Sequence, residues 1–336
     1  MNIKRNQDNF RGCLIGGAIG DALGWPVEFH SLREVKMKYG ENGIQELIVN
    51  QRGVAEITDD TQLTLFTVAG ILSDEPVGVY CSYLYWLKTQ GFETNVKVKI
   101  DCWLVNVPEM HARRSPGITC LKALQSGQCG SVTSPINDSK GCGCVMRVAP
   151  AGLFYPLEEA FKKGVEFAAI THGHPLGYLS AGAFSYLIAT IMEGYPLLLA
   201  VENTIQKLSD FPEAKECIVK IEQAKELAKS DIKSEEAIKR LGLGWVSEEA
   251  LAIALYSALK YQNNFISALK AAVNHDGDSD STGSITGNIL GALQGYRQIP
   301  ESWIKQLELK DVIIQIADEL WMKYKETTDQ TSRFFH

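Results

Sequence analysis

Apolar residues along this chain recur mostly at three- and four-residue spacing. Between Asp59 and Leu72, the residues Leu63, Phe66, Ala69 and Leu72 fall on one stripe with Leu65 and Ile71 beside it, the pattern of an amphipathic helix with one face in a core. Thr58 stands ahead of the stripe as an N-cap, and Asp59 and Asp60 occupy the first turn, where the helix macrodipole favours negative charge. The same periodicity predicts helices over 156–171, 175–193, 197–208, 213–229, 247–262, 264–274, 282–296 and 311–325, while sustained strand-like alternation is scarce. An all-α fold follows. No Pro/Ser-rich linker or internal repeat divides the chain, which reads as one domain over 8–326 with short flexible termini at 1–7 and 327–336.

Glycine modulates this pattern. Gly12, Gly16, Gly20 and Gly24 recur at every fourth position near the start, and Gly283, Gly287, Gly291 and Gly295 do so near the end. A glycine inside a helix costs about 1 kcal/mol relative to alanine, so each seam predicts a close backbone approach. Whether the seams touch each other is not readable. Loops are expected at 30–57 and 126–150, and the second is longer and richer in glycine than a connector needs. The Lys- and Glu-rich stretch 214–240 reads as solvated helical surface.

Composition narrows the class. With 45% hydrophobic and 22% charged residues, 336 residues can bury a sizeable core. A net charge of -7 argues against a phosphate-backbone partner, so no nucleic acid is expected. Lys4 and Arg5 precede a short apolar run in the manner of a leader, but Asp21 interrupts it, and no apolar stretch of membrane length is read further along. Eight scattered cysteines in so apolar a chain read as reduced thiols. The expectation is a cytoplasmic monomer without a membrane partner.

Candidate chemistry sits in two clusters of hard oxygen donors, Thr58-Asp59-Asp60-Thr61 and Asp276-Gly277-Asp278-Ser279-Asp280-Ser281. Such donors suit Mg²⁺, Mn²⁺ or Ca²⁺ rather than zinc. Helix capping alone explains acids and hydroxyls at helix starts, but each cluster holds more acids than a cap requires. A calcium hand fails, because position six would be Ser281 rather than glycine and position twelve Gly287 rather than glutamate.

Seven blocks in order carry a resemblance to the ADP-ribosylglycohydrolases: RGCLIGGAIGDALGWPVEF at 11–29, TDDTQLTL at 58–65, SPGITCLKAL at 115–124, SKGCGCVMRVAPAGL at 139–153, THGHPLGYLSAG at 171–182, GLGWVSEEALAIALY at 242–256 and DGDSDSTGSITGNILGALQG at 276–295. The resemblance implies a single all-α domain with two Mg²⁺ ions in its cleft, Mn²⁺ being able to substitute. It implies Thr58, Asp59, Asp60, Asp278, Asp280 and Ser281 as metal ligands. It also implies Asp59 or Asp60 as general base and later acid, and Glu28 as a mobile cleft-closing acid, the alternative for Glu28 being a surface carboxylate.

For the rest of the nucleotide, the resemblance points to the loop holding Gly141, Gly143, Cys144 and Met146, to His172, and to Trp245 at the adenosine end. Cys144 stands where many relatives carry glycine. A Cys-x-Cys metal site at Cys142 and Cys144 lacks a second Cys or His pair at zinc spacing. The implied reaction is hydrolysis of the N-glycosidic bond of mono-ADP-ribosylated arginine on a protein, releasing ADP-ribose. Ser281 resembles the arginine-directed branch, whereas some other branches place threonine there. The competing expectations are hydrolysis of serine-linked, polymeric or free ADP-ribose derivatives, and a non-catalytic ADP-ribose-binding or structural protein.

Overall fold

The structure, a computed structural model, describes residues 5–97 and 100–334. The described residues form sixteen α-helices and contain no strand, only isolated bridges. At the centre lie the two glycine seams, on the helices Gln7–Gly24 and Ser279–Gln294. They face each other. A β-carbon on Gly12 would lie 2.4 Å from Gly291 O, one on Gly16 2.3 Å from Gly287 O, and one on Gly20 2.0 Å from Gly283 O. Positions rising along one helix meet positions falling along the other, so the pair is antiparallel. Asn9 Nδ2 donates to Ala292 O and Asn288 Nδ2 to Cys13 O, both at 2.8 Å, which pins the register.

This pairing positions the site. It sets the C-terminal end of the first helix, with Glu28 just beyond, beside the N-terminal end of Ser279–Gln294, where Asp278 and Asp280 stand. The Asp59–Leu72 helix packs nearby and departs from the expected amphipathic form. It is buried on all sides from Asp59 to Ile71. Its threonines tolerate this because Thr64 Oγ1 donates to Asp60 O at 2.8 Å and Thr67 Oγ1 to Leu63 O at 2.9 Å, leaving neither hydroxyl in need of water.

Several expectations are corrected. The span 30–57 is not all loop: it contains the helix Leu32–Tyr39, opened by a capping box in which Ser31 N donates to Glu34 Oε2 at 2.8 Å and Glu34 N to Ser31 Oγ at 3.3 Å. A helix at Gly78–Thr89 and a shorter one at Ile118–Gln125 were not anticipated by periodicity. Pro175–Met192 does reach membrane length and hydropathy, at 18 residues with mean hydropathy 1.3, but 83% of it is buried inside the fold as a core helix. The ends are less free than expected. Arg5 is buried, with Nε 2.9 Å from Glu193 Oε1 and Nη2 donating to Tyr155 O at 2.8 Å, and the last helix runs from Lys310 to Phe334, past the tail expected from 327. Residues 1–4, 335 and 336 of those tails lie outside the described residues.

Candidate active site

Helix ends and one buried acid assemble the centre. Asp21, fully buried, accepts hydrogen bonds from Thr58 N at 3.0 Å and Thr61 N at 3.1 Å, and from the hydroxyls of Thr58 at 2.9 Å and Thr61 at 2.5 Å. It thereby satisfies two orphan amides of the Asp59–Leu72 helix and holds Asp59 and Asp60 in place. Thr58 caps the same helix by accepting from Asp60 N, and its hydroxyl lies 3.4 Å from Asp280 Oδ2, joining the two clusters.

The second cluster is aimed by a tight turn. Gly277 has φ +120°, and a β-carbon there would lie 2.0 Å from Leu243 O, so only glycine fits. Asp278 follows, its N–H donating to Leu243 O at 2.8 Å and its carboxylate capping the helix through Ser281 N at 3.4 Å. Glu28 joins from the strap after the first helix. It is 5% exposed and accepts from Ser115 Oγ at 2.6 Å, so the surface-carboxylate alternative falls away. Glu28, Asp278 and Asp280 offer oxygens within 4.8 Å of one another. Gly117 N donates to Asp59 Oδ2 at 3.0 Å.

So many acids in so little water repel. Burial, then the neighbouring carboxylates, push Asp59, Asp60 and Asp280 well above the usual carboxylate range. Glu28 is pushed up to about 8 and Asp21 to about 6, burial again being the main cause. Asp60 Oδ1 is buried with no hydrogen-bond partner among the described residues. An orphaned carboxylate oxygen beside three mutually facing acids fits a hard divalent cation, for which Thr58, Asp59, Asp60, Asp278, Asp280, Ser281 and Glu28 are the available donors.

A pH test follows from these directions. Asp21, Glu28, Asp59, Asp60 and Asp280 titrate near 4 when unfolded and higher in the folded chain, so at these groups the folded state binds more protons between those values. Their contribution to stability is then fully present below about pH 4 and lost as pH rises through about 6 for Asp21 and about 8 for Glu28. In EDTA, the melting temperature is expected to fall across this window, and excess Mg²⁺ or Mn²⁺ to flatten the fall. A melting temperature that climbs with pH in the chelator would contradict carboxylate burial and repulsion as the cause.

Beside the acids lies a cleft of about 330 Å³, lined among others by Glu28, Asp59, Asp60, Gly141, Gly143, Met146, His172, Trp245, Asp278, Asp280 and Ser281. Of the residues singled out from sequence, Thr58 and Cys144 lie behind its surface. Cys144 is fully buried, with Sγ 3.1 Å from Ser247 Oγ and 3.3 Å from Gly141 O, which corrects its expected substrate contact. Ser247, the first residue of the next helix after Trp245, turns toward the loop. Its hydroxyl lies 2.9 Å from Gly141 O and its N–H donates to Lys140 O at 2.9 Å, while Cys142 N donates to Trp245 O at 3.1 Å, stitching the glycine loop to the Trp245 segment.

His172 forms the back wall. A β-carbon on Gly143 would lie 3.5 Å from its Cε1 and 3.1 Å from Cys120 Sγ, so the turn presses a glycine against the ring. Burial, with Arg147 adding to it, lowers the His172 pKa well below its ordinary value, so the imidazole is neutral. His174 instead caps the Pro175–Met192 helix by accepting from Leu176 N at 3.1 Å. At the mouth, Phe29 stacks on Trp245 with ring centroids 5.7 Å apart and planes 18° from parallel. Sequence reasoning missed Asp21, Ser115, Gly117 and Phe29. An acid inside a glycine-rich apolar run was the available signal for the first.

The described residues form an all-helical scaffold that gathers hard oxygen donors from helix ends beside a glycine-rich loop, an arrangement suited to metal-assisted hydrolysis. The ADP-ribosylglycohydrolase family profile matches residues 2–330, and the chain belongs to the ADP-ribosylglycohydrolase family. It is 24% identical over 362 residues to the mouse (Mus musculus) protein ADP-ribosylhydrolase ARH3, covering 96% of this chain and 94% of that one. It is also 24% identical over 323 residues to ADP-ribosylarginine hydrolase Tri1 of Serratia proteamaculans, covering 94% and 79%. A solved ADP-ribosylglycohydrolase-related protein complex shares the fold, with a TM-score of 0.61 and 22% identity over 95% of this chain and 98% of that chain. The family is metal-dependent and acts on ADP-ribosylated substrates, giving ADP-ribose.

Proposed function

We propose that this chain releases ADP-ribose from mono-ADP-ribosylated arginine on a protein, with two Mg²⁺ ions at its acidic centre and Mn²⁺ able to replace them, acting as a cytoplasmic monomer that either reverses a regulatory modification or counters a toxin. The observation that carries the reading is the unpartnered, buried Asp60 Oδ1 facing acids from a second helix end. When bound, divalent ions supply positive charge that offsets the carboxylates and orients ribose hydroxyls and water. Asp59 and Asp60 line the cleft at the edge of the acidic centre, where a carboxylate can take a proton from water and return it to the leaving guanidine. Neutral His172 offers a hydrogen bond inside the cleft, the glycine loop leaves room for a diphosphate, and Trp245 and Phe29 offer faces on which adenine can stack. The arginine linkage is supported by Ser281 and by the similarity to an enzyme named for that linkage.

The test is ADP-ribose release from defined arginine- and serine-linked conjugates and from poly-ADP-ribose, with Mg²⁺ and with EDTA. Release from the arginine conjugate, faster than from the others and lost in EDTA, is expected. Preference for serine-linked or polymeric substrate would replace the arginine reading. No release from any of them with metal present would leave an ADP-ribose-binding or structural protein.

A further inference from the structure

The strap and loop around the acidic centre bring sulfur among the hard donors, and of the sulfurs lining the cleft the Cys142 thiol touches an acid of the centre. Cys142 is only half-buried and lines the cleft, whereas Cys144 two residues on is turned behind it. Its Sγ lies 2.5 Å from Asp278 Oδ2 and 3.7 Å from Ser281 Oγ. The backbone holds it there, since Cys142 N donates to Trp245 O at 3.1 Å and the loop is flanked by Gly141 and Gly143. Independently, the buried Asp60 Oδ1 without a partner marks the same centre as one built for a cation.

We infer that Cys142 makes this acidic centre a mixed sulfur–oxygen site that captures thiophilic divalent ions, Cd²⁺ and Zn²⁺, through Sγ and the Asp278 carboxylate, in competition with the hard ion. The inference rests on the reading that the cluster holds divalent metal. Binding exchanges the thiol proton for the metal: the S–H bond breaks, an S–metal bond forms beside the Asp278 carboxylate, and the proton leaves to water without any change of oxidation state. Mg²⁺ has little affinity for sulfur, whereas thiolate is a preferred ligand of zinc and softer ions. The neighbouring carboxylates add charge without adding discrimination, so Cys142 is the residue that sets the preference. A soft ion held this way occupies an oxygen that the hard ion needs, and inhibits.

The experiment uses the full chain with the exposed Cys129 replaced, Cys129→Ser, to remove a competing surface thiol. Cd²⁺ is titrated and the sulfur-to-cadmium charge-transfer absorption recorded, with and without Cys142→Ser, while Mn²⁺ binding is followed separately by electron paramagnetic resonance. The expected result is an absorption band that Cys142→Ser removes, a Cd²⁺ affinity weakened by about tenfold or more in that variant, and suppression of the band by excess Mn²⁺. A band of equal strength in Cys142→Ser, or one that Mn²⁺ cannot suppress, overturns the inference. Absence of bound Mn²⁺ would remove the metal reading itself, whereas bound Mn²⁺ with a Cd²⁺ band indifferent to Cys142 removes this inference alone. Should Cys142→Ser fail to fold, alkylation mapped by mass spectrometry decides in the unsubstituted chain: Cd²⁺ is expected to protect Cys142 at concentrations that leave Cys129 reactive, and equal protection of both overturns the proposal.

Discussion

Asp60→Asn is expected to lower turnover by on the order of a thousandfold and, in the presence of chelator, to raise the melting temperature. The two effects come from one cause. Asp60 is buried, its Oδ1 has no hydrogen-bond partner among the described residues, and Asp21, Asp59 and Asp278 all push its pKa upward after burial has done so. Without a divalent ion, the carboxylate carries a desolvation and repulsion penalty that asparagine, of nearly the same shape, does not. One pKa unit corresponds to about 1.4 kcal/mol, so relief of a well-shifted acid is worth a rise of roughly a few degrees. With Mg²⁺ present the order reverses, because the unsubstituted chain gains from binding and the variant does not. The double change Asp59→Ala with Asp60→Ala is expected to end turnover while leaving the helical circular dichroism in place. Surviving turnover would refute the catalytic role of these acids. A lower melting temperature of Asp60→Asn in chelator would mean that the carboxylate is a structural partner instead.

The second large effect concerns the seam. Gly291→Ala is expected to destabilise the fold by at least about 3 kcal/mol, read as a shift in denaturant midpoint or as loss of soluble protein. A β-carbon there would lie 1.9 Å from Gly12 O. Both sides of the contact are backbone, so no side chain can rotate away and the helices must part. Helix propensity predicts the opposite, a gain of about 1 kcal/mol from replacing glycine by alanine. The sign of the measured change therefore separates the two accounts, and a neutral or stabilised variant would show that the helices are free to separate. Because the pair sets Glu28 against Asp278 and Asp280, a variant that still folds is expected to bind divalent ions more weakly.

What was legible in the sequence was what is local. Helical periodicity, the Thr58 cap and the acids opening two helices depend on neighbours a few residues apart, and the structure has them. The family resemblance rested on blocks whose order is also a matter of sequence alone. The meeting of the glycine seams was not legible, because each seam announces a close approach without naming its partner. Asp21 looked like an interruption in an apolar run, and its meaning appeared only when Thr58 and Thr61 were brought to it from another helix.

The Leu32–Tyr39 helix was hidden because it buries only Val35 and so shows almost no apolar stripe, although Ser31 and Glu34 signalled its start. Gly78–Thr89 is rich in aromatic residues, which weaken helix propensity, and it is held by burial instead. Which cysteine of the pair at 142 and 144 faces the cleft depends on a single turn of 3-10 helix, and spacing alone does not say.

The antiparallel pairing of the first helix with Ser279–Gln294 has a consequence for how the chain is born. On a ribosome adding roughly 5–20 residues per second, the Gln7–Gly24 helix emerges on the order of tens of seconds before the helix it must lie against. Throughout that wait its glycine face has no surface to close on, although Thr58 and Thr61, the partners of Asp21, follow within about forty residues. The two halves of the acidic centre come together only near the end of synthesis. A message cut short before residue 278 thus yields a product lacking both the second set of donors and the helix against which its first helix lies.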